Sequence, residues 1–187
     1  SQTSAIGTTT VDGSTLIADT GTYATSTALV FVNDATLYVA TGTNYYYESL
    51  SGWANNSTIV ERGTIESLPT SLTIPVGATF LADYRMRTYT DLTVNGTLTH
   101  SANTSTQEYW LDLTVSGDFT VNSGGLVDMS EKGYDSGSSL GAGVGPGAGD
   151  GANSDGGGGG AYGGDGGDSS DGRLGGSADG SRAKPVQ

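Results

Sequence analysis

The sequence predicts an all-β protein with three parts: an N-terminal antiparallel β-meander, short β-solenoid-like coils, and a glycine-rich irregular or polyglycine-like tail. Three observations support this. A motif recurs about every twenty residues, and no window shows the apolar rhythm of an α-helix. Glycine fills 32 of the 187 positions and is concentrated after residue 133, so the core-forming residues must lie before it.

Residues 1–66 are predicted to form the meander, with a role in attachment or assembly. Residues 1–27 are small and polar, which indicates an extended arm or a first short strand. A β-branched and aromatic run at 28–32 and a second apolar run at 36–40 are separated by an Asn-Asp turn signal. Short strands with polar turns at this spacing indicate an antiparallel sheet.

Residues 67–132 carry the repeat and are predicted to form the solenoid-like coils. Its copies begin at Leu72, Leu92 and Leu113, and each reads apolar-Thr-apolar, then a turn containing glycine, then a further apolar residue. The coils of a solenoid bury their apolar faces only against neighbouring coils. We therefore expect the three copies to lie one above another. Pro69 marks the boundary before them, because proline cannot donate to a strand ladder.

Residues 133–187 form the glycine-rich segment. Glycine alternates with other residues from 141 to 149 and runs without interruption from 156 to 160. Glycine loses the most backbone entropy on ordering and has no side chain to bury. The segment is therefore either flexible or ordered by hydrogen bonds between closely packed extended strands. Collagen is excluded, because its three-residue glycine period is absent.

The net charge of −13 excludes two classes of partner. Asp and Glu number 20 against 7 Lys and Arg, whereas a nucleic acid requires a basic surface that neutralises phosphates. An anionic membrane surface would repel the chain for the same reason. No apolar run is long enough for a membrane span. The absence of cysteine excludes disulfides and thiol chemistry.

Two sets of carboxylates are candidates for a site. Asp91 and Asp112 occupy equivalent positions in two copies of the repeat, so we expect them about 5 Å apart on one face. Such a pair suits a carboxylate dyad or a cation, and turn-capping residues repeated with the motif explain it equally well. In the tail, residues 163–168 match the start of the calcium-binding nonapeptide repeat; Asp165 and Asp168 lie within this match and Asp171 lies just after it. They are weak candidate ligands for Ca²⁺, the only cofactor that the sequence suggests.

Other side chains are candidates for recognition. Tyr45, Tyr46, Tyr47 and Trp53 form either a sugar-binding platform or part of a core or subunit interface. His100, the only histidine, lacks a nucleophile-elbow motif nearby and is expected to be an exposed loop residue. Glycosylation sequons start at Asn55 and Asn56, which overlap, and at Asn95 and Asn103, and they matter only in a host that glycosylates outward-facing proteins.

Two resemblances cover most of the chain. The stretch from Ala18-Asp19-Thr20 through residues 37–42 to Gly52-Trp53 resembles short β-meander modules of phage tail and fibre proteins. Residues 113–128 and the glycine runs that follow are similar to glycine-rich β-helical segments of large bacterial surface proteins and viral fibres. Neither resemblance implies any catalytic residue.

The expected function is that of a non-enzymatic structural fibre subunit outside the cell or on a virion. A phage tail fibre or appendage, used for assembly and host attachment, is the first expectation. A microbial surface filament or adhesin is the second; it would polymerise by strand exchange with residues 1–27 as the donor. A β-helical polysaccharide lyase or hydrolase is the third. Expected partners are further copies of the chain, as a homotrimer or a polymer, and a cell-surface glycan or receptor.

Overall fold

The computed structural model describes residues 2–3, 7–19, 23–54, 56–65, 67–83, 87–134, 145–151, 165–170 and 172–178. Within these ranges the only regular secondary structure is the β-strand, and every strand pairing is parallel. The stacked coils form a β-solenoid. This confirms the predicted all-β class and the solenoid architecture.

The strands are short, and Thr, Val, Ile, Leu and Tyr are frequent in them, as suits half-buried extended segments. They are β1 (Gln2–Thr3), β2 (Thr8–Asp12), β3 (Thr15–Ala18), β4 (Tyr23–Val32), β5 (Thr36–Val39), β6 (Asn44–Ser51), β7 (Thr58–Glu61), β8 (Thr64–Ile65), β9 (Ser71–Ile74), β10 (Thr79–Ala82), β11 (Thr88–Tyr89), β12 (Asp91–Val94), β13 (Thr97–Thr99), β14 (Thr114–Val115), β15 (Phe119–Val121) and β16 (Leu126–Val127).

A six-stranded sheet takes one strand from each successive coil, in the order β3, β5, β7, β10, β13, β16. The first residues of its first five strands are in register and are all threonine: Thr15, Thr36, Thr58, Thr79 and Thr97. Successive members of this column are 21, 22, 21 and 18 residues apart, which is the length of each coil. The period read from the sequence is therefore the coil period.

Three smaller sheets complete the coils. In one, β4 pairs with β1, β2 and β6, and β6 pairs with β8. A second contains β9, β12 and β15, and a third contains β11 and β14. Each coil thus runs from a strand in one of these sheets, around a corner, to a strand of the six-stranded sheet.

The core is a column of apolar side chains inside the coils. The second residue of each strand in the six-stranded sheet points inward, and Leu37, Ile59, Phe80 and Leu98 are in register and fully buried there. Each such side chain contributes about 2 kcal/mol through its removal from water. The repeated apolar positions therefore hold one coil on the next.

The antiparallel meander predicted for residues 1–66 is wrong. β4 and β5 do not form a hairpin, because β4 pairs with β2 and β6 while β5 pairs with β3 and β7. Asn33, with a φ of 45°, turns a corner between two sheets of one coil. Hairpins and coil corners use the same turn residues, so the local sequence does not distinguish them. Residues 8–12 and 15–18, expected to be an extended arm or a first short strand, are two strands of the first coil.

The predicted stacking of the repeat is confirmed for its first two copies and is wrong for the third. Leu72 pairs with Leu92, and Phe80 with Leu98, as predicted. Leu92 then pairs with Phe119, whereas β14, within the copy that begins at Leu113, lies on β11. Thr97 and Leu126 are 29 residues apart in register, so an insertion lengthens this coil and displaces the frame of the motif.

The chain divides into two compact units. One comprises Ser1–Ser101 and Leu111–Met129, and the other comprises Ala102–Trp110 and Ser130–Gln187. The six-stranded sheet lies in the first unit and continues without interruption across the predicted boundary after residue 66. Residues 133–187 fall within the second unit, and the division of the chain after residues 66 and 132 stays a prediction.

In the second unit, the described glycine-rich residues pack backbone against backbone. The Asp150 N–H donates to the Leu174 carbonyl, and the Gly166 N–H donates to that of Gly176, both at 2.9 Å. A Cβ on Gly176 would lie 1.9 Å from the Gly147 carbonyl oxygen, so only glycine permits this approach. Residues 135–144 and 152–164, which hold the longest glycine runs, lie outside the described residues.

Candidate functional site

A polar cluster lies next to the six-stranded sheet and ties consecutive coils together. Arg62 Nε donates to Asp83 Oδ2 at 3.2 Å, and Arg62 Nη2 donates to Ser101 Oγ at 3.1 Å. Ser101 donates its N–H to Asp83 Oδ1 at 2.8 Å and its hydroxyl to Asp83 Oδ2 at 2.7 Å. The Arg62 guanidinium also lies 5.3 Å from the centre of the Tyr38 ring. These four residues belong to four successive coils.

His100 is adjacent to this cluster and is buried, so the expectation of an exposed loop histidine is wrong. Its Nδ1 lies 2.7 Å from the Ser101 carbonyl oxygen. The Ser101 hydroxyl donates to Asp83, whereas activation of a serine nucleophile requires a hydroxyl that donates to histidine. The arrangement therefore ties the backbone to the sheet and does not form a Ser-His-Asp relay.

An ion pair lies in the interior of the coils. Arg87 Nε donates to Glu61 Oε1 and Oε2 at 3.1 and 3.3 Å, and Arg87 Nη1 donates to the Leu68 carbonyl at 3.3 Å. The Ile65 N–H donates to Glu61 Oε1 at 3.1 Å. Burial raises the pKa of Glu61 above its ordinary value, and the charge and hydrogen bonds of Arg87 oppose that increase.

Two tyrosines border this pair. Burial raises the pKa of Tyr47 and of Tyr89 well above their ordinary value, and the negative charge of Glu61 adds to both shifts. Sequence reasoning missed the pair. One signal was available, because Glu61 follows the inward-facing Ile59 by two residues and so points to the same side of its strand.

The predicted stacking of Asp91 and Asp112 is wrong. Asp91 pairs in register with Ser71 on one side. On the other side it is followed by Asp118, since Leu92 pairs with Phe119. Ser71 Oγ and the Asp118 N–H each donate to the Asp91 carboxylate at 3.0 Å. Asp91 therefore caps the corner of the next coil, which is the turn-capping role considered beside the dyad.

Of the three calcium candidates in the tail, the two that the structure describes accept hydrogen bonds from backbone N–H groups. Asp165 Oδ1 accepts the Ala178 N–H, and Asp168 Oδ1 accepts the Gly175 N–H, both at 2.8 Å. Asp171 lies outside the described residues. In the ranges that the structure describes, no three His, Asp or Glu side chains are grouped to hold a metal ion. Calcium binding through these residues stays a prediction.

The aromatic cluster mostly faces inward. Tyr45, Tyr47 and Trp53 are buried, and only Tyr46 is exposed. The Tyr45 and Tyr47 rings lie 6.4 Å apart, and Trp53 meets Phe80 edge-on at 6.1 Å between ring centres. These rings act as core residues, so they do not form a continuous sugar-binding platform.

The sequon asparagines that the structure describes differ in their exposure to solvent. Asn103 is buried, and its Oδ1 accepts the N–H groups of Glu108 and Tyr109 at 2.6 and 2.7 Å. Its Nδ2 donates to the Tyr109 and Lys132 carbonyls at 2.6 and 3.0 Å. Asn56, by contrast, is exposed in a turn.

The last coil, formed by β14, β15 and β16, presents apolar side chains to solvent. Phe119 is 48% exposed, Val121 44% and Leu126 51%. Among the described strands, β15 pairs only with β12, and β16 only with β13. The coil therefore offers strand edges and apolar surface together, which is the usual composition of an association site.

No model of a protein family, no curated protein and no solved structure matches this chain. Within the described ranges, no helix is long and apolar enough to cross a membrane.

Proposed function

We propose that this chain is a non-enzymatic structural subunit of a fibre or filament displayed outside a cell or on a virion. One observation carries the proposal: strands of six successive coils continue a single in-register parallel sheet from β3 to β16. A solenoid of this kind extends along one axis by adding coils, each of which contacts only its neighbours. Length and stiffness are the properties that such an arrangement supplies.

The polar side chains support the same role. Arg62, Asp83 and Ser101 are bonded to one another across three coils, and Glu61 is bonded to Arg87 inside them. These groups strengthen contacts between coils. A glycan-cleaving site would instead need two carboxylates that face each other across a groove.

The narrower proposal is a tail fibre or appendage of a phage, for assembly and host attachment. Its support is the resemblance of residues 113–128 and the glycine runs that follow to glycine-rich β-helical segments of viral fibres. The resemblance of residues 18–53 to meander modules adds no support, because these residues form parallel coils. Polymerisation by exchange of residues 1–27 is less favoured. Five residues of β2, from Thr8 to Asp12, already pair with β4 of the same chain, so a donated strand would have to break that ladder.

Electron microscopy and light scattering of the purified full chain test the fibre proposal. We expect elongated assemblies whose mass increases with protein concentration. A single-chain particle over the whole accessible range of concentration and salt would contradict a fibre role. In parallel, release of reducing or unsaturated sugar ends from acidic and neutral polysaccharides would favour the lyase or hydrolase alternative.

A further inference from the structure

The inward side chains of the last coil are exposed where their partners in the preceding coil are not. Phe119 and Val121 are 48% and 44% exposed, whereas Leu92 and Val94, directly in register with them, are 0% exposed. The difference arises because the preceding coil has a neighbour on both sides. The end of the stack at β15 and β16 thus has the composition of an interior coil, and among the described strands it has a neighbour on one side only.

The first coil has the complementary edges. β3 is the terminal strand of the six-stranded sheet opposite β16, and among the described strands β2 pairs only with β4. The corners of the first and last coils also correspond. Asp12 directly follows Val11 at the corner between β2 and β3, and Asn122 directly follows Val121 at the corner between β15 and β16. Asp12 Oδ1 accepts from Asn33 Nδ2 at 2.7 Å, and Asn122 Nδ2 donates to Asn95 Oδ1 at 2.8 Å.

We infer that the β14–β16 end of one copy binds the β1–β3 end of a second copy, with the parallel strands continuing in register across the contact. The inference rests on the proposed fibre role and names its longitudinal contact. Leu126 and Val127 would pair in register with Thr15 and Leu16 of the second copy. Within one chain, Leu126 and Val127 pair in the same way with Thr97 and Leu98, and Thr15 and Leu16 pair with Thr36 and Leu37.

A second copy of the chain is the partner that fits this end, because it would repeat the coil-to-coil contact that already holds the coils of one chain together. Each coil-to-coil contact joins parallel strands and apolar side chains, and the two end coils carry the same two features. At the corner, the Asn122 side chain has two amide N–H groups. One donates to Asn95, and the other would donate to the Asp12 carboxylate of the second copy. A head-to-tail contact of this kind does not close, so it generates a filament.

Charge sets the conditions for the contact. Two copies at −13 each repel, and salt screens that repulsion. Assembly through the apolar ends is therefore expected to increase with salt concentration. A contact built on ion pairs would weaken instead.

Single-cysteine variants test the geometry, because the chain has no cysteine of its own. Residues in register on adjacent strands have the Cα separation that a disulfide bridges. We expect Asp12→Cys and Asn122→Cys to form a disulfide-linked dimer when mixed under mild oxidation, and neither to form one alone. Thr73→Cys, on an exposed position in the middle of the stack, is the matched control and should not link to Asp12→Cys.

A second variant tests the apolar surface. Val121→Glu places a carboxylate at the open end, whereas Val76→Glu places one at an exposed mid-stack corner. We expect Val121→Glu to remain a single chain where the wild type and Val76→Glu assemble, with the same circular dichroism for all three. Homodimers of Asn122→Cys alone, absence of the mixed dimer, or assembly of Val121→Glu would each overturn the contact.

These outcomes separate the two proposals. Elongated assemblies that persist in Val121→Glu would keep the fibre role and remove this contact. A wild type that forms no assembly at any salt concentration would remove both.

Discussion

Glu61 and Arg87 form an ion pair inside the coil stack, at a position that its neighbours fill with apolar side chains. Glu61 lies in register between Val39 and Ala82, both of which are buried in the core. Arg87 adds hydrogen bonds to the Ile65 and Leu68 carbonyls. The pair thus also binds the backbone at Ile65 and Leu68, where the Ile65 carbonyl accepts the Leu68 N–H as well, at 3.3 Å.

Removal of one partner should cost much more than removal of both. Arg87→Met leaves a carboxylate that is 1% exposed without its cation, and we expect a loss of about 3–5 kcal/mol in the free energy of unfolding. Glu61→Leu combined with Arg87→Met should cost less than the sum of the single changes. Urea denaturation of the four proteins measures this coupling. Additive losses would show that the pair does not act as a unit.

Alkaline pH should destabilise the fold through Tyr47 and Tyr89. Their folded pKa values lie above the ordinary value of 10.0. Above that pH the unfolded chain releases both protons while the folded chain retains them, so stability is lost as pH rises. Each tyrosine contributes a slope of up to about 1.4 kcal/mol per pH unit.

The corresponding test compares the wild type with Tyr47→Phe and Tyr89→Phe. Each phenylalanine variant should show a shallower fall in the free energy of unfolding above pH 10. Tyr46→Phe, at an exposed position, is the control and should keep the wild-type slope. An unchanged slope in both buried variants would contradict the assignment.

Gly96 should tolerate no side chain, because the corner of the coil packs directly against the previous coil. A Cβ there would lie 2.3 Å from the carbonyl oxygens of both Pro75 and Ala78. We expect Gly96→Ala to cost about 2–3 kcal/mol, since the clash is with backbone. Gly124 has a φ of 87° and open space around its Cβ position, so Gly124→Ala should cost about 1 kcal/mol. Thermal unfolding of the two variants gives the comparison; equal losses would exclude the close approach.

Asn103 should resist glycosylation although its sequence matches the acceptor motif. Its amide is buried and bonded to three other residues, so an oligosaccharide could be attached only if that loop opened. In a host that modifies secreted proteins, peptide mass spectrometry should find Asn103 unmodified and exposed Asn56 available. A glycan on Asn103 would show that the loop forms differently.

The same hydrogen bonds predict a stability effect. Asn103→Asp keeps the acceptor oxygen and removes the donors to the Tyr109 and Lys132 carbonyls. We expect a loss of about 3 kcal/mol, because the Tyr109 carbonyl loses its Asn103 side-chain donor, the Lys132 carbonyl keeps only the Asn103 backbone N–H, and the new carboxylate faces both oxygens. Asn122→Asp, at an exposed corner, is the matched control and should cost well under half as much.

The sequence by itself determined the all-β class, the coil period and the register of the first two copies of the repeat. Leu72 with Leu92 and Phe80 with Leu98 could be paired from the sequence alone, because a solenoid requires chemically similar side chains at the same place in each coil. The absence of a helical rhythm was equally informative.

Only the tertiary structure decided the remaining strand pairings. The corner at Asn33 reads as a hairpin turn, and the Leu113 copy reads as a further repeat of Leu92, because turn chemistry and a short motif are local signals. The insertion before β14 shifts the register so that Phe119, not Leu113, follows Leu92. The partner of Glu61 could not be predicted from local sequence for the same reason. Arg87 is 26 residues away, and the two side chains meet only when the coils stack.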